Sequence, residues 1–406
     1  MTNTSSTADL FWPGTHRAAG VVDDSAFLDA MVATEQAWLD GLVELAIAPV
    51  TARAELGRFV GVEDLADLAR GAEEGGNPVI GLVALLRERT DGETSRWLHR
   101  GLTSQDVIDT ALVLLVRDAL NRVVSDLRAQ LGTLAGLATE HRLTPAVGRT
   151  LTQHAVPITV GVKFAGWIAG LADALEAADS VRRALPVQIG GAAGTNAAAT
   201  ELTGDRQAAV DVVARTAAAL GLAPASPWHT TRSPITSAGD AFTGCTDAWG
   251  RIAADVTSLT RPEIGEFREG AGGGSSTMPH KNNPVLSVLL RRAALTTPGL
   301  AATLHLAAAT TVDERPDGAW HAEWDTLRLL AHRTVVAAGQ ARDLLDGLVV
   351  DAPRVAANLA AADGVLTEQR LMADITGRDT RADYLGTSEL IVDAAVARAL
   401  TLTGDA

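Results

Sequence analysis

The sequence predicts an all-α protein built around a bundle of long helices, and three observations carry that expectation. Of its 406 residues, 47% are hydrophobic but only 4% are aromatic, so the core must be made mainly of Ala, Leu and Val. Apolar residues recur at helical spacing over several stretches near or above about 25 residues, longer than ordinary globular helices. Pro, Gly or a Ser/Thr cap bounds each stretch.

In chain order, Phe27, Leu28, Met31, Trp38, Leu39, Leu42 and Leu45 mark a helix from Ser25 to Leu45, closed near Pro49. A second covers Val62 to Ala72, Gly75-Gly76-Asn77-Pro78 breaks the chain, and Val79 to Arg89 forms a short third. Thr103, with Asp106 three positions on, makes a capping box ahead of Ile108, Leu112, Leu115, Leu120, Val123, Leu127, Leu131 and Leu134. Nothing stops that helix before Pro145. Further helices are expected from about Pro157 to Leu185, Gly204 to Leu220, Pro234 to Thr260, Pro284 to Thr310 and Ala322 to Val349. Gly161, Ala165, Gly166 and Gly170 lie on neighbouring turns, where small residues admit either a partner helix or close packing inside one subunit. The expected organisation is a helical N-terminal domain (1–98), a central bundle (99–350) and a short helical C-terminal segment (351–406).

Composition narrows the function. The net charge of −15 repels nucleic acid and acidic membrane surfaces. Every apolar run is interrupted by Arg, Asp or Glu before it reaches the roughly 18 residues of a membrane span. The first ten residues lack a basic stretch followed by an apolar one, so the cytosol is the expected compartment. The single cysteine, Cys245, allows no intrachain disulfide and reads as a buried thiol. No His/Cys/Asp/Glu spacing suggests a zinc or calcium site, and no metal or other cofactor is expected. Against the acidic background, Arg149, Lys163, Lys281 and Arg315 suit either a local basic pocket for a small polyanion or ordinary solvated surface.

The densest chemical signal is Gly272-Gly273-Gly274-Ser275-Ser276-Thr277-Met278-Pro279-His280-Lys281-Asn282-Asn283-Pro284. The three glycines predict a segment able to open and close, and Asn-Pro launches a helix. A hydroxyl, a cation and amides at close quarters supply a proton carrier, a group that lowers its pKa, and donors for an oxyanion. Proton transfer beside a carboxylate needs that set, because the carbanion delocalises into a dianionic aci-acid. A phosphate-binding loop fits poorly, since Lys281 precedes Asn282 rather than Ser or Thr and no strand precedes the glycines.

This segment resembles the signature of the fumarase/aspartase superfamily, Gly-Ser-Ser-x-x-Met-Pro-x-Lys-x-Asn-Pro, with one residue fewer between Ser and Met. The resemblance implies that Ser275 is the catalytic serine, with Lys281 and Asn283 as substrate and oxyanion ligands. His99-Arg100-Gly101-Leu102-Thr103-Ser104-Gln105-Asp106 is similar to a second active-site region of that family, in which the Thr-Ser pair bonds a substrate carboxylate. Helix-terminal N–H groups there favour an anion, although plain capping also accounts for Thr103 and Ser104. Gly148-Arg149-Thr150-Leu151-Thr152-Gln153-His154 is similar to a third, which makes Thr150 and Gln153 substrate ligands and places Arg149 beside them. His99 matches a histidine that acts in related lyases, and His154 starts the next helix; each reads equally as a site residue or a structural histidine.

In relatives that release an amine or water, the residue after Gly-Arg-Thr is an acid–base histidine, whereas here it is Leu151. The 3-carboxy-cis,cis-muconate cycloisomerase branch is likewise apolar there. Trp228-His229-Thr230, Gly190 to Thr195, and Glu314-Arg315 with Gly318 to Trp324 also resemble that branch, which implies Arg315 as a further substrate ligand. Lactonisation needs no protonation of a departing amine, so the resemblance favours cycloisomerisation of a tricarboxylate. A fumarate-forming lyase acting on a succinyl-type substrate is the alternative. A helical tetramer that has lost its reaction would lack Ser275 or Lys281, and both are present. Asn282, where the branch carries arginine, removes one positive charge. The family fold implies a homotetramer with each active site assembled from several chains.

Overall fold

The computed structural model describes residues 9–270, 272–274, 276–278, 280–381 and 383–404. Among the described residues, the chain is all-α apart from two short antiparallel ladders. In order, the elements are α1 (Asp24–Glu44), α2 (Leu65–Gly75), α3 (Val79–Arg89), α4 (Gly92–Trp97), α5 (Ser104–Glu140), β1 (Pro145–Thr150), β2 (Gln153–Thr159), α6 (Val160–Ala184), α7 (Ala197–Thr203), α8 (Arg206–Leu220) and α9 (Ser233–Leu259). They continue with β3 (Phe267–Arg268), α10 (Val285–Ala309), α11 (Gly318–Asp346), β4 (Val349–Val350), α12 (Ala352–Ala360), α13 (Thr367–Thr376) and α14 (Ser388–Thr403). At 37 residues, α5 is about 55 Å long.

Local chemistry fixes many of these ends. Asp23, Asp205 and Asp351 accept from Ala26, Ala208 and Arg354 backbone N–H groups and so cap α1, α8 and α12. Gly76, at φ 71°, ends α2. The helix expected from Gly204 to Leu220 is α8, and a short helix that was not expected, α7, precedes it and ends at Gly204, whose φ is 70°.

The segment 145–159 departs from expectation. The sequence reading starts a helix near Pro157, but the chain forms the β1–β2 hairpin first, and His154 lies on a strand opposite Arg149. Val147, Val156 and Ile158 are β-branched and favour the pleated backbone. A register shift falls between Val147 and Arg149, where a Cβ on Gly148 would lie 2.6 Å from the Val156 carbonyl oxygen. Leu151 and Thr152 make the two-residue turn at φ 48° and 70°, a conformation usually left to Gly or Asn.

The contacts divide the chain into two units. The first comprises residues 1–122, 178–243 and 297–336, the second residues 123–177, 244–296 and 337–406. In the first, Gly41 of α1 packs against Val212 and Thr216 of α8, and Trp38 is fully buried. In the second, Phe164, Trp167 and Phe267 form an aromatic cluster with ring centroids 5.2–6.0 Å apart. Trp249 donates to Gln130, which donates to the Ala338 carbonyl. A Cβ on Gly161 would lie 2.9 Å from Arg142 Cα, so this small residue serves packing within the chain. Cys245 is buried, and burial pushes its thiol pKa up to about 12.

Candidate active site

In the first unit, the site is organised by the start of α5. Thr103 stands at the cap, and its backbone N–H donates to Asp106 at 3.0 Å, one half of the expected capping box. The Thr103 hydroxyl is engaged elsewhere, by the guanidinium of Arg315, which also donates to the Ala192 carbonyl at 3.3 Å. Ser104, half-buried, opens the helix beside it. Asp106 further accepts from the backbone N–H groups of Gly190 and Gly191, from Gln188 and from His229. One buried carboxylate thereby ties the Gly190–Gly191 turn to the helix that carries Thr103 and Ser104.

A second buried cluster stands one turn further along. Arg232 donates to Asp109 and Glu323, and Trp320 donates to Asp109 at 2.8 Å. Burial opposes the charge of Arg232, but the two carboxylates outweigh it and raise its pKa. Burial also raises the pKa of Glu323 against the pull of Arg232. His99 lies in the linker before α5, at φ 60°, with Nδ1 2.6 Å from Oε1 of Glu35.

In the second unit, Arg149 forms a two-pronged pair with the buried Glu266 at 3.0 and 2.6 Å. Thr150, Gln153 and His154 are exposed at the hairpin tip, with Leu151 95% exposed between them. Glu269, three residues after Glu266, accepts from the backbone N–H groups of Leu286 and Ser287 and from the Ser287 hydroxyl, capping α10. The glycine-rich loop bends back on itself through mutual backbone bonds of Gly273 and Asn283 at 2.9 and 2.8 Å. Lys281 is exposed and its backbone N–H bonds to Met278; Asn283 is half-buried. Ser275 lies outside the described residues.

Two of the loop's glycines have a role beyond freedom of motion. A Cβ on Gly272 would sit 1.6 Å from the Asn282 side chain, and one on Gly273 2.1 Å from that of Val285. At both positions an added Cβ would have to displace a neighbouring side chain, that of Asn282 or of Val285.

A family model described as Lyase matches residues 69–299, more than half of the chain. The nitrosuccinate lyase of Streptomyces davaonensis is 44% identical over 367 residues, covering 87% of this chain and 77% of that protein. The chain belongs to the fumarase/aspartase superfamily. The 3-carboxy-cis,cis-muconate cycloisomerase of Pseudomonas aeruginosa is 39% identical over 372 residues, 89% of this chain and 77% of that protein. Among solved structures, the 3-carboxy-cis,cis-muconate lactonizing enzyme of Pseudomonas putida superposes with TM-score 0.83 at 30% identity, over 96% of this chain and 98% of that one. A fumarate lyase from Mesorhizobium matches with TM-score 0.82 at 26% identity, over 98% and 99%.

Within this superfamily member, the residues marked in the sequence fall into two sets. His99, Thr103, Ser104 and Arg315 belong to the first unit; Arg149, Thr150, Gln153, His154, Lys281 and Asn283 belong to the second. Thr103 and Arg315 touch directly, whereas Arg149 is occupied by Glu266. The buried carboxylates Glu35, Asp109, Glu266 and Glu269 went unread in their supporting roles, and Asp106 was read only as a cap. For Asp109 a signal existed, since it and Asp106, three positions apart, interrupt the first turns of an otherwise apolar helix. Among the described residues, no helix is long and apolar enough to cross a membrane.

Proposed function

We propose that this lyase removes a proton from the carbon beside a substrate carboxylate and expels, from the next carbon, a group that leaves as a stable anion. The 44% identity to a nitrosuccinate lyase carries this reading, and Leu151 is compatible with it as it is with cycloisomerisation. Leu151 occupies the hairpin tip between Thr150 and Gln153, and its side chain has no proton to give a departing amine or hydroxide. Nitrite needs none. The reaction assigned is therefore loss of nitrite from nitrosuccinate, which leaves fumarate; nitrosuccinate is the substrate named for the 44%-identical relative.

In this mechanism the Ser275 alkoxide, favoured by Lys281, takes the C3 proton. The C–H electron pair passes into the adjacent carboxylate as an aci-acid, then forms the double bond as the C–N bond breaks with its pair on nitrite. Thr103 and Ser104 hold one carboxylate at the α5 N-terminus, with Arg315 beside them. Thr150, Gln153 and Asn283, supplied by partner chains of the proposed assembly, hold the other end. His99 and, from a partner chain, His154 are assigned to the rim of the site, and Arg149 to holding the hairpin through Glu266.

A homotetramer with shared sites belongs to the same proposal. Val288, Leu295 and Leu306 of α10 are 54%, 79% and 68% exposed in the single chain, an apolar stripe suited to a partner helix. Light scattering should give four chains per particle; an active monomer would refute the sharing.

Cycloisomerisation of 3-carboxy-cis,cis-muconate is the second reading, favoured by the relative at 39% identity and the lactonizing-enzyme fold. Its substrate is a trianion, and Asn282 supplies one charge fewer than that branch carries. The assay offers both substrates to the purified protein. Fumarate and nitrite released in equal amounts support the first reading. Loss of the conjugated-diene absorbance of the muconate, without nitrosuccinate turnover, replaces it with the second.

A further inference from the structure

The linker that leads into α5 is gripped from one face of α1. Trp38 donates from its indole to the Arg100 carbonyl at 2.7 Å, and Glu35, three residues earlier, meets the imidazole of His99 at 2.6 Å. Glu35 is fully buried, and its second oxygen, Oε2, has no hydrogen-bond partner. His99 keeps 17% of its side chain exposed and holds a left-handed φ of 60°. Strained backbone of this kind persists where surrounding contacts fix it.

Burying a carboxylate with one oxygen unanswered is costly, and a glutamine would accept the same hydrogen bond without burying a charge. What a glutamine would not supply is the negative charge behind the ring. We infer that Glu35 is a positioning residue that fixes the proton on Nδ1 of His99 and keeps the imidazolium available, with Nε2 directed to a substrate carboxylate. This inference rests on the assignment of His99 to the substrate site.

The geometry makes the assignment chemically specific. A carboxylate is only an acceptor, so the nitrogen facing it carries the proton, and the other ring nitrogen is left for the ligand. The neighbouring charges are Arg87 on α3 and Arg100 in the linker. Arg87 lies in the fields of both Arg100 and Glu35, and its pKa is lowered, first by burial and then by Arg100, against the pull of Glu35. Both arginines are cations, and Glu35 is the anion in contact with the ring. Four and five residues beyond His99 come Thr103 and Ser104, so an anion at the start of α5 would meet an N–H donor, two hydroxyls and the helix terminus.

The test uses the full-length protein labelled with 15N-histidine, His99 being assigned by its loss in His99→Gln. In the wild type, raising the pH should deprotonate Nε2 and leave Nδ1 protonated. Glu35→Gln should lower the His99 titration midpoint by about one pH unit. On the substrate the wild type turns over, Glu35→Gln should lower kcat/KM about tenfold at neutral pH, with recovery at lower pH as His99 regains its proton. Glu35→Asp keeps the charge and should keep most of the midpoint, which covers the case of a poorly folded amide variant. A proton on Nε2 instead of Nδ1, or an unmoved midpoint in Glu35→Gln, overturns the inference. If neither nitrosuccinate nor the muconate is turned over, the proposed function fails while the histidine spectra still decide the role of Glu35.

Discussion

Around the first turns of α5, polar side chains are buried and bonded to one another: Asp106 alone accepts from Thr103, Gln188, Gly190, Gly191 and His229. Along the glycine-rich loop, the side chains of Ser276, Thr277, Met278, His280, Lys281 and Asn282 are all exposed. The two regions divide the work that the proposed chemistry demands. Holding a carboxylate calls for donors fixed in advance, since preorganised dipoles cost no rearrangement when charge develops. A proton carrier and its cation must instead be reachable by substrate and solvent. The first region is therefore expected to register in stability, the second in rate.

The strongest way to break that comparison is at Ser275. Ser275→Ala should lower turnover by about two to four orders of magnitude, the usual cost of a lost proton-transfer group, with substrate affinity within a few-fold of wild type. Ser276→Ala, one residue on, should cost much less. Equal losses in the two variants, or a loss confined to affinity, would make the serine a ligand rather than the proton carrier.

A matched pair of cations separates stability from rate. Arg232 is buried between Asp109 and Glu323, so Arg232→Met leaves two carboxylates unanswered and should destabilise the fold by about 3–5 kcal/mol in urea unfolding. Lys281 is exposed, and Lys281→Met should change stability by under about 0.5 kcal/mol while sharply lowering kcat. Reversal of that pattern would refute the division between the two regions.

The loop's glycines sharpen it further. Gly272→Ala forces a Cβ into the Asn282 side chain and should lower activity about tenfold by displacing Lys281 and Asn283. Gly274 has open space around its missing Cβ, so Gly274→Ala should stay within a few-fold of wild type. Equal effects in kcat/KM assays would mean that loop freedom, not close packing at Gly272, is what the glycines provide.

Legibility followed the same divide between local and distant. The long helices were readable because the 3.6-residue period and their caps are written in adjacent residues, as at Thr103–Asp106 and Ser25–Leu45. The β1–β2 hairpin was not, because Leu151-Thr152 carries no turn residue and its positive φ values are imposed by strand pairing. The network of Asp109, Arg232 and Glu323 joins side chains 91 and 123 positions apart, a relation no local pattern encodes. His99 was marked by its segment, but Glu35 reads there as one more polar position on an amphipathic helix. Ser275 was marked by its motif alone and lies outside the described residues.

The smallest expected effect compares the two units through one histidine in each, buried in the second and half-buried in the first. His141, just past the C-terminus of α5, packs near Phe164 in the second unit; burial lowers its pKa below 6.5, with Glu140 opposing. His332 of α11, in the first unit, is lowered likewise by burial, with Arg328 and Arg333 adding to the shift and Asp9 opposing it. A histidine whose folded pKa is depressed binds a proton more readily when unfolded. Its contribution to stability is therefore complete above the unfolded value of 6.5 and is lost as pH falls through the lower, folded value. Thermal unfolding should accordingly weaken as the pH drops below 6.5. His141→Gln and His332→Gln should each flatten part of that slope, and the two parts should add, since the residues lie in separate units. A slope unchanged in both variants would assign the acid sensitivity to other groups.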